Sequence, residues 1–275
     1  MNNHVSREDK VDMHTCYIQI GEHTVFITTR EPSIVEWLHE HFKIIKADEW
    51  DDCLPDLYLR IGSGFGQEAN SYDVAIHEVG DKVIYEREDY LMEVDQDYRR
   101  GSLHIHNELA LKHALMALYS AYIVHYKWGL MIHSCCVAEA GESYLFAGQS
   151  GAGKSTVAFL SQPRTILSDE ATLVRIGPDG VYAYDSPFRS DTSSSFDHAC
   201  LPLKGIYLLE QSLIINTDLI KPTEAVLRLM DKIFYWAVNP TETVRVLGMC
   251  RQLAELVPSY SLYFQKNDLF WECIS

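Results

Sequence analysis

Gly148-Gln149-Ser150-Gly151-Ala152-Gly153-Lys154-Ser155, directly behind the apolar run Tyr144-Leu145-Phe146-Ala147, is the stretch on which the reading of this chain turns. It satisfies G-x-x-x-x-G-K-[ST] at every fixed position. Glycines let a backbone turn successive N–H groups inward without Cβ clashes, which makes a concave anion receptor. The segment behind the loop has apolar residues at Val157 and Leu160 and stops before Pro163, as a short helix would. Such a helix aims its positive N-terminus at the same anion. Lys154 adds a movable cation and Ser155 a hydroxyl for a hard metal ion. Gly148 to Thr156 is therefore the expected contact segment for nucleotide phosphates.

Downstream, Ile166-Leu167-Ser168-Asp169-Glu170 reads as an apolar strand ending in adjacent carboxylates. Beside a bound triphosphate, one acid can hold Mg²⁺ and the other can take the proton of an attacking hydroxyl. Neighbours on an extended strand face opposite ways, so only one projects straight at the terminal phosphate. Composition leaves open which it is; Ser155 and Asp169 are the expected metal ligands. Upstream, His133 lies within the apolar run Leu130–Ala138, the strand ahead of the loop strand. In the loop Asp185–Asp191, Arg189 is a candidate clamp for a phosphoryl group or carboxylate, because a guanidinium forks well onto either. The polar run Thr192–Ser195 fits a mobile lid.

The first hundred residues read mainly as strands: Tyr17–Ile20 and Thr24–Thr28 around the turn Gly21-Glu22, then Leu57–Ile61, Val74–Val79, Lys82–Glu86 and Leu91–Val94. One helix, near Ser33–Phe42, interrupts them. A boundary is expected near Arg99-Arg100-Gly101, giving a small strand-rich α+β unit over 1–100 and a phosphate-loop domain over 101–275. The second unit opens with a helix capped by Asn107, carrying one apolar face (Leu111, Leu115, Leu118, Tyr122) and stopped by a left-handed Gly129. Strands follow at Thr165–Leu167, Thr172–Ile176, Val181–Tyr184, Gly205–Leu209 and Tyr260–Phe264, with helices near Thr223–Trp236 and Thr241–Leu256. Hairpins mixed with helical connections predict an α/β fold with a mixed sheet.

Of the 275 residues 47% are hydrophobic and 23% charged, an ordinary globular balance with enough length for a core without staples. The seven cysteines are scattered, lack a CxxC pair and read as reduced thiols of a cytoplasmic protein. The polar segment Met1–Thr15 lacks a signal-peptide core, and Ala114–Val124 is too short to span a bilayer. A net charge of −16 disfavours nucleic acid and would suit a basic peptide partner.

Asp169 lies fifteen residues beyond Lys154, with only one short helix and one strand between them. This spacing resembles the HPr kinase/phosphorylase family and its relative, ATP-dependent phosphoenolpyruvate carboxykinase. A histidine placed like His133 assists the catalytic carboxylate in that pattern. The resemblance implies ATP and Mg²⁺ as cofactors, His133, Lys154, Asp169 and Glu170 as catalytic residues, and a homo-oligomer. It covers about 130–210. The chain departs from the family in having Asp-Glu instead of two aspartates, and in lacking the E-I-R-G-like and R-P-G-R-like runs of the regulatory enzymes. Reduced chains of this kind resemble tailoring kinases of lasso-peptide biosynthesis, which phosphorylate the C-terminal serine of a precursor peptide; the segment Val257–Tyr263 also looks like that group. A kinase for free serine and a nucleotide-binding module without transfer chemistry are the alternative expectations.

Overall fold

The computed structural model describes residues 13–46, 54–192, 200–236 and 240–274. The expected first hairpin is β1 (His14–Ile20) and β2 (His23–Thr29), closed by Gly21 at φ 59°. Period-two alternation sends Cys16, Ile18, Ile20, Val25 and Ile27 into the core. Next come α1 (Pro32–His41), β3 (Lys43–Ile44), β4 (Leu57–Ser63), β5 (Ala75–Val79), β6 (Lys82–Arg87), β7 (Tyr90–Asp95) and β8 (Arg100–Ile105). They form one mixed sheet in the order β3-β1-β2-β4-β8-β7-β6-β5.

The strand β8 begins at the boundary expected near Arg99-Arg100-Gly101 and runs on to Ile105. That strand pairs in parallel with β4 and antiparallel with β7, so the first sheet closes only at Ile105. The two parts also share one continuous core, in which Ile18, Leu59 and Met92 cluster with Met131, Leu173 and Phe188.

Between them runs α2 (Glu108–His125), started by Asn107, whose side chain accepts the Ala110 N–H at 2.9 Å. The single apolar face expected for α2 is an underestimate. From Ala114 to Val124 every residue is buried, because the helix packs against the first sheet, the second sheet and a later helix. Its left-handed terminal residue is Lys127, φ 55°, and not Gly129. Gly129 instead opens the next strand, where a Cβ would lie 2.0 Å from the Val174 carbonyl oxygen.

The second sheet contains β9 (Gly129–Glu139), β10 (Glu142–Ala147), β11 (Thr165–Ser168), β12 (Ala171–Gly177), β13 (Gly180–Tyr184), β14 (Cys200–Gln211), β15 (Asn216–Leu219) and β16 (Ser259–Phe264). It is mixed, as expected: β14 runs parallel to β10 and β16, whereas β9 is antiparallel to β10, β11 and β12. The pairings β9-β12-β13-β14-β10 close a ring. The helix α3 (Lys154–Leu160) follows β10. The helix expected over Thr223–Trp236 is shorter: α4 (Pro222–Leu229) gives way to a 3₁₀ turn, Met230–Lys232. The chain then docks on β9, with the Phe234 N–H donating to the Met131 carbonyl at 2.9 Å. The last helix, α5 (Pro240–Leu256), leads into β16. Edge strand β15 carries Asn216-Thr217-Asp218, which has no strand signal.

Two glycines test this packing. Gly129→Ala is expected to lower stability by about 1–3 kcal/mol through overpacking. Gly248→Ala, on an open face of α5, should raise it by about 0.5–1 kcal/mol through helix propensity. Urea unfolding of both variants checks the pair.

Candidate functional site

The phosphate loop leaves β10 at Ala147. Gly151 and Gly153 have φ of 78° and 113°, which side chains rarely adopt. A Cβ at Gly148 would stand 2.6 Å from the Ala152 Cβ, and one at Gly153 would stand 2.6 Å from Phe264 Cζ. The loop thus needs glycine for its shape and for its seat. Gln211 braces it from β14, its Nε2 donating to the Gly151 carbonyl at 2.9 Å.

Lys154 is buried, and its Nζ donates to the carbonyls of Gly148 (3.0 Å) and Gln149 (3.3 Å). Burial, then Lys232, pulls this ammonium below its ordinary pKa, with Cys135 opposing. Gly148–Ala152 line a cavity of about 610 Å³ together with Gln211, Arg228, Asp231 and Lys232. Two further cations therefore face the loop. Lys232 is held by Asp231 at 2.6 Å and Arg228 by Glu210 at 2.7 Å. Ser155 is exposed, and its hydroxyl forms no hydrogen bond among the described residues. Thr156 lies on a different cleft, beside Phe264 and Gln211.

The acidic pair sits where β11 hands over to β12, both paired with β9. Its carboxylates part company. Asp169, buried, accepts three backbone N–H groups, from Ser190 (3.0 Å), Asp191 (2.9 Å) and Thr192 (2.7 Å). Glu170 turns elsewhere: its Oε2 accepts from Lys112 Nζ at 2.6 Å and from Ser190 Oγ at 2.9 Å. Lys112 also reaches the Arg189 carbonyl at 3.1 Å. The Cys135 thiol is pushed well above its usual pKa by burial first, then by Cys136 and Asp169, while Arg189 and Lys154 oppose.

His133 faces Ala171 across the ladder, its ring 5.3 Å from that of Phe234. Burial lowers its pKa first and Lys154 second; Glu170 opposes and Lys232 adds to the lowering. His133, Glu170 and Ser150 of the phosphate loop line a second cavity, of about 370 Å³. Its other walls include Arg87, His113 and Phe234.

Arg189 is not a surface side chain on this loop. Only 5% of its side chain is exposed. Its guanidinium donates to the carbonyls of Ser186 (2.8 Å), Ile166 (2.9 Å) and Leu167 (2.8 Å), to Thr192 Oγ1 (2.8 Å) and to Asp185 (2.5 Å). Those bonds fasten the 185–192 segment to the end of β11. Of the expected polar lid, Thr192 is held by Asp169; Ser193–Ser195 lie outside the described residues.

The sequence reading brings together Lys154, His133, Asp169 and Glu170 and misses Lys112, Arg228 and Lys232. Lys112 joins Glu170 across a separation of 58 residues, which no local pattern reveals. Lys232 was folded into an expected helix that ends before it. Among the described residues no group of three or more His, Cys, Asp and Glu side chains converges as a ready-made metal site. No described helix is long and apolar enough to cross a membrane.

Removing the guanidinium in Arg189→Ala breaks its buried ion pair with Asp185 and its bonds to the Ile166 and Leu167 carbonyls, and should cost about 3–5 kcal/mol; a surface arginine would change unfolding by less than about 0.5 kcal/mol. A second prediction concerns pH. Burial first, then Arg87 and Lys112, lower the His113 pKa from 6.5 to about 4. The unfolded chain therefore binds the extra proton first as pH falls. Stability from this histidine is complete above pH 6.5 and is lost toward pH 4. Urea midpoints across that window should fall with pH, and less steeply in His113→Gln. Compared with known proteins, the chain matches no protein-family model and no curated sequence.

Proposed function

We propose that this chain is a cytoplasmic, ATP-dependent serine kinase that transfers a γ-phosphoryl group to a hydroxyl of a peptide or small protein. The acceptor class follows the resemblance to HPr kinase-like enzymes and lasso-peptide tailoring kinases. One observation carries the reading: Ser150 of the phosphate loop lines two cavities. It shares the 610 Å³ cavity with Arg228 and Lys232 and the 370 Å³ cavity with Glu170 and His133. A donor in the first and an acceptor in the second would adjoin at this residue, as direct in-line transfer requires.

Each residue then has a definable task. Loop amides and Lys154 bind phosphate oxygens, the lysine exchanging two carbonyl contacts for charged ones. Lys232 and Arg228 add positive charge in the first cavity. Glu170, which faces the acceptor cavity, takes the hydroxyl proton; Lys112 and Ser190 hold its carboxylate in place. His133 stands beside it, its lowered pKa keeping the ring neutral and able to accept or relay a proton. Asp169 and Ser155, the expected metal ligands, both offer oxygen, the donor type a hard cation takes. Of about four lone-pair positions on the Asp169 carboxylate, three are taken by backbone amides, and the Ser155 hydroxyl is open. Bound there, Mg²⁺ would neutralise charge developing on the phosphates.

The division of labour between the two acids is the test. With Mg·[γ-³²P]ATP and serine-containing peptides, Glu170→Gln should lower kcat about 10²–10⁴-fold with nucleotide affinity intact, the size of a lost general base. Lys154→Ala should instead weaken nucleotide binding. Asp169→Asn should loosen the 190–192 turn as well as slow transfer, seen as a lower melting temperature. ATP hydrolysis with no labelled peptide, or a fully active Glu170→Gln, would remove the proposal.

A further inference from the structure

The acceptor cavity has walls of an unusual kind. Tyr72, Tyr90, Phe234 and Trp236 contribute aromatic surface, and Met116 closes the base from α2. Ionisable groups are also present, yet their charges cancel locally. Arg87 makes a bidentate pair with Asp89, Nε to Oδ1 at 2.5 Å and Nη2 to Oδ2 at 2.7 Å, and its guanidinium lies 4.7 Å over the Tyr90 ring. Glu170 is paired with Lys112 at 2.6 Å. His113 receives an Arg87 N–H on Nδ1 at 3.0 Å and meets the Tyr72 ring edge-on at 5.7 Å, an arrangement made by a neutral imidazole.

We infer that this cavity selects an acceptor whose hydroxyl is flanked by a neutral aromatic or aliphatic group, and that Tyr72 and Trp236 set that preference. The inference rests on the phosphotransferase reading for the hydroxyl, and on the cavity walls for its neighbour. With each wall charge already matched, an acidic or basic neighbour would lose hydration without gaining a counter-charge. A flat apolar group would lose only water, against rings that offer offset and edge-on contacts. The volume of about 370 Å³ lies near the lower end of ligand-sized pockets. It suits one side chain beside the reacting hydroxyl. Tyr72 is 77% exposed and is no core support, whereas Trp236 is half-buried and also packs against the first core, so the Tyr72 variant is the cleaner probe of the two.

The experiment uses acetylated, amidated dipeptides X-Ser, with X as Phe, Tyr, Leu, Glu or Lys, on the full chain. Phosphorylation with Mg·ATP and calorimetric binding without nucleotide are measured side by side. Phe-Ser and Tyr-Ser are expected to exceed Glu-Ser and Lys-Ser at least tenfold in kcat/KM. Trp236→Ala and Tyr72→Ala should raise KM for Phe-Ser at least fivefold, leaving kcat and the KM for ATP unchanged. Equal use of all dipeptides, preference for a charged one, or unchanged KM in both variants overturns the inference while the kinase reading stands. Binding of Phe-Ser that is lost in the variants, with no dipeptide phosphorylated, supports the pocket and removes the kinase reading. Neither binding nor phosphorylation of any dipeptide overturns the pocket.

Discussion

The candidate site depends on the register of one strand at one residue. Ser134 of β9 faces Ala147, the last residue before the phosphate loop, across one ladder. On the other edge its N–H donates to the Glu170 carbonyl at 3.1 Å. Loop and acidic pair are thus hung from opposite sides of a single peptide unit, with His133 next to it. Behind them three buried hydroxyls lock the junction: Ser134 Oγ donates to Thr172 Oγ1 at 2.6 Å, which is 2.5 Å from Ser168 Oγ. A slip of one residue in β9 would reverse which side chains face the cavity and part the loop from the acids. Buried polar groups with mutual partners hold a register that apolar packing alone would let slide.

The first sheet belongs to the same construction. Through α2 it shares a core with β9 and β12, and α2 carries His113 and Met116 to the cavity and Lys112 to Glu170, while the first sheet brings Arg87 and Tyr90. The strand-rich half has no motif of its own. Its chemical contribution is a wall of the space into which Glu170 and His133 open. A helix buried on all sides suits that position, because any shift of α2 would disturb both sheets at once.

What was legible in sequence was local. The Gly148–Ser155 pattern, the strands around it and the closeness of Asp169-Glu170 are written within a few tens of residues, and so is the histidine one strand upstream. What was not legible depends on distant partners. Nothing near Arg189 says that its guanidinium reaches back to the carbonyls of Ile166 and Leu167; residue type suggested a ligand clamp, and burial made it a fastener. Nothing near Glu170 announces Lys112. Gly129 followed a helix and so looked like its cap, yet its lack of a side chain serves the approach of Val174, in a strand that was expected but whose pairing with Gly129 was not. The two acids do part, but at the bend between β11 and β12 and not by alternation along a strand, and nothing local says which one faces the cavity.

A crystal structure with Mg²⁺ and a non-hydrolysable ATP analogue bears most directly on the central claim. The terminal phosphate should lie within hydrogen-bonding reach of the loop amides and of Lys154 Nζ, facing Glu170 and His133, with Glu170 still paired to Lys112. A nucleotide seated elsewhere, or phosphates bound at the loop with Glu170 swung away from them, would contradict it.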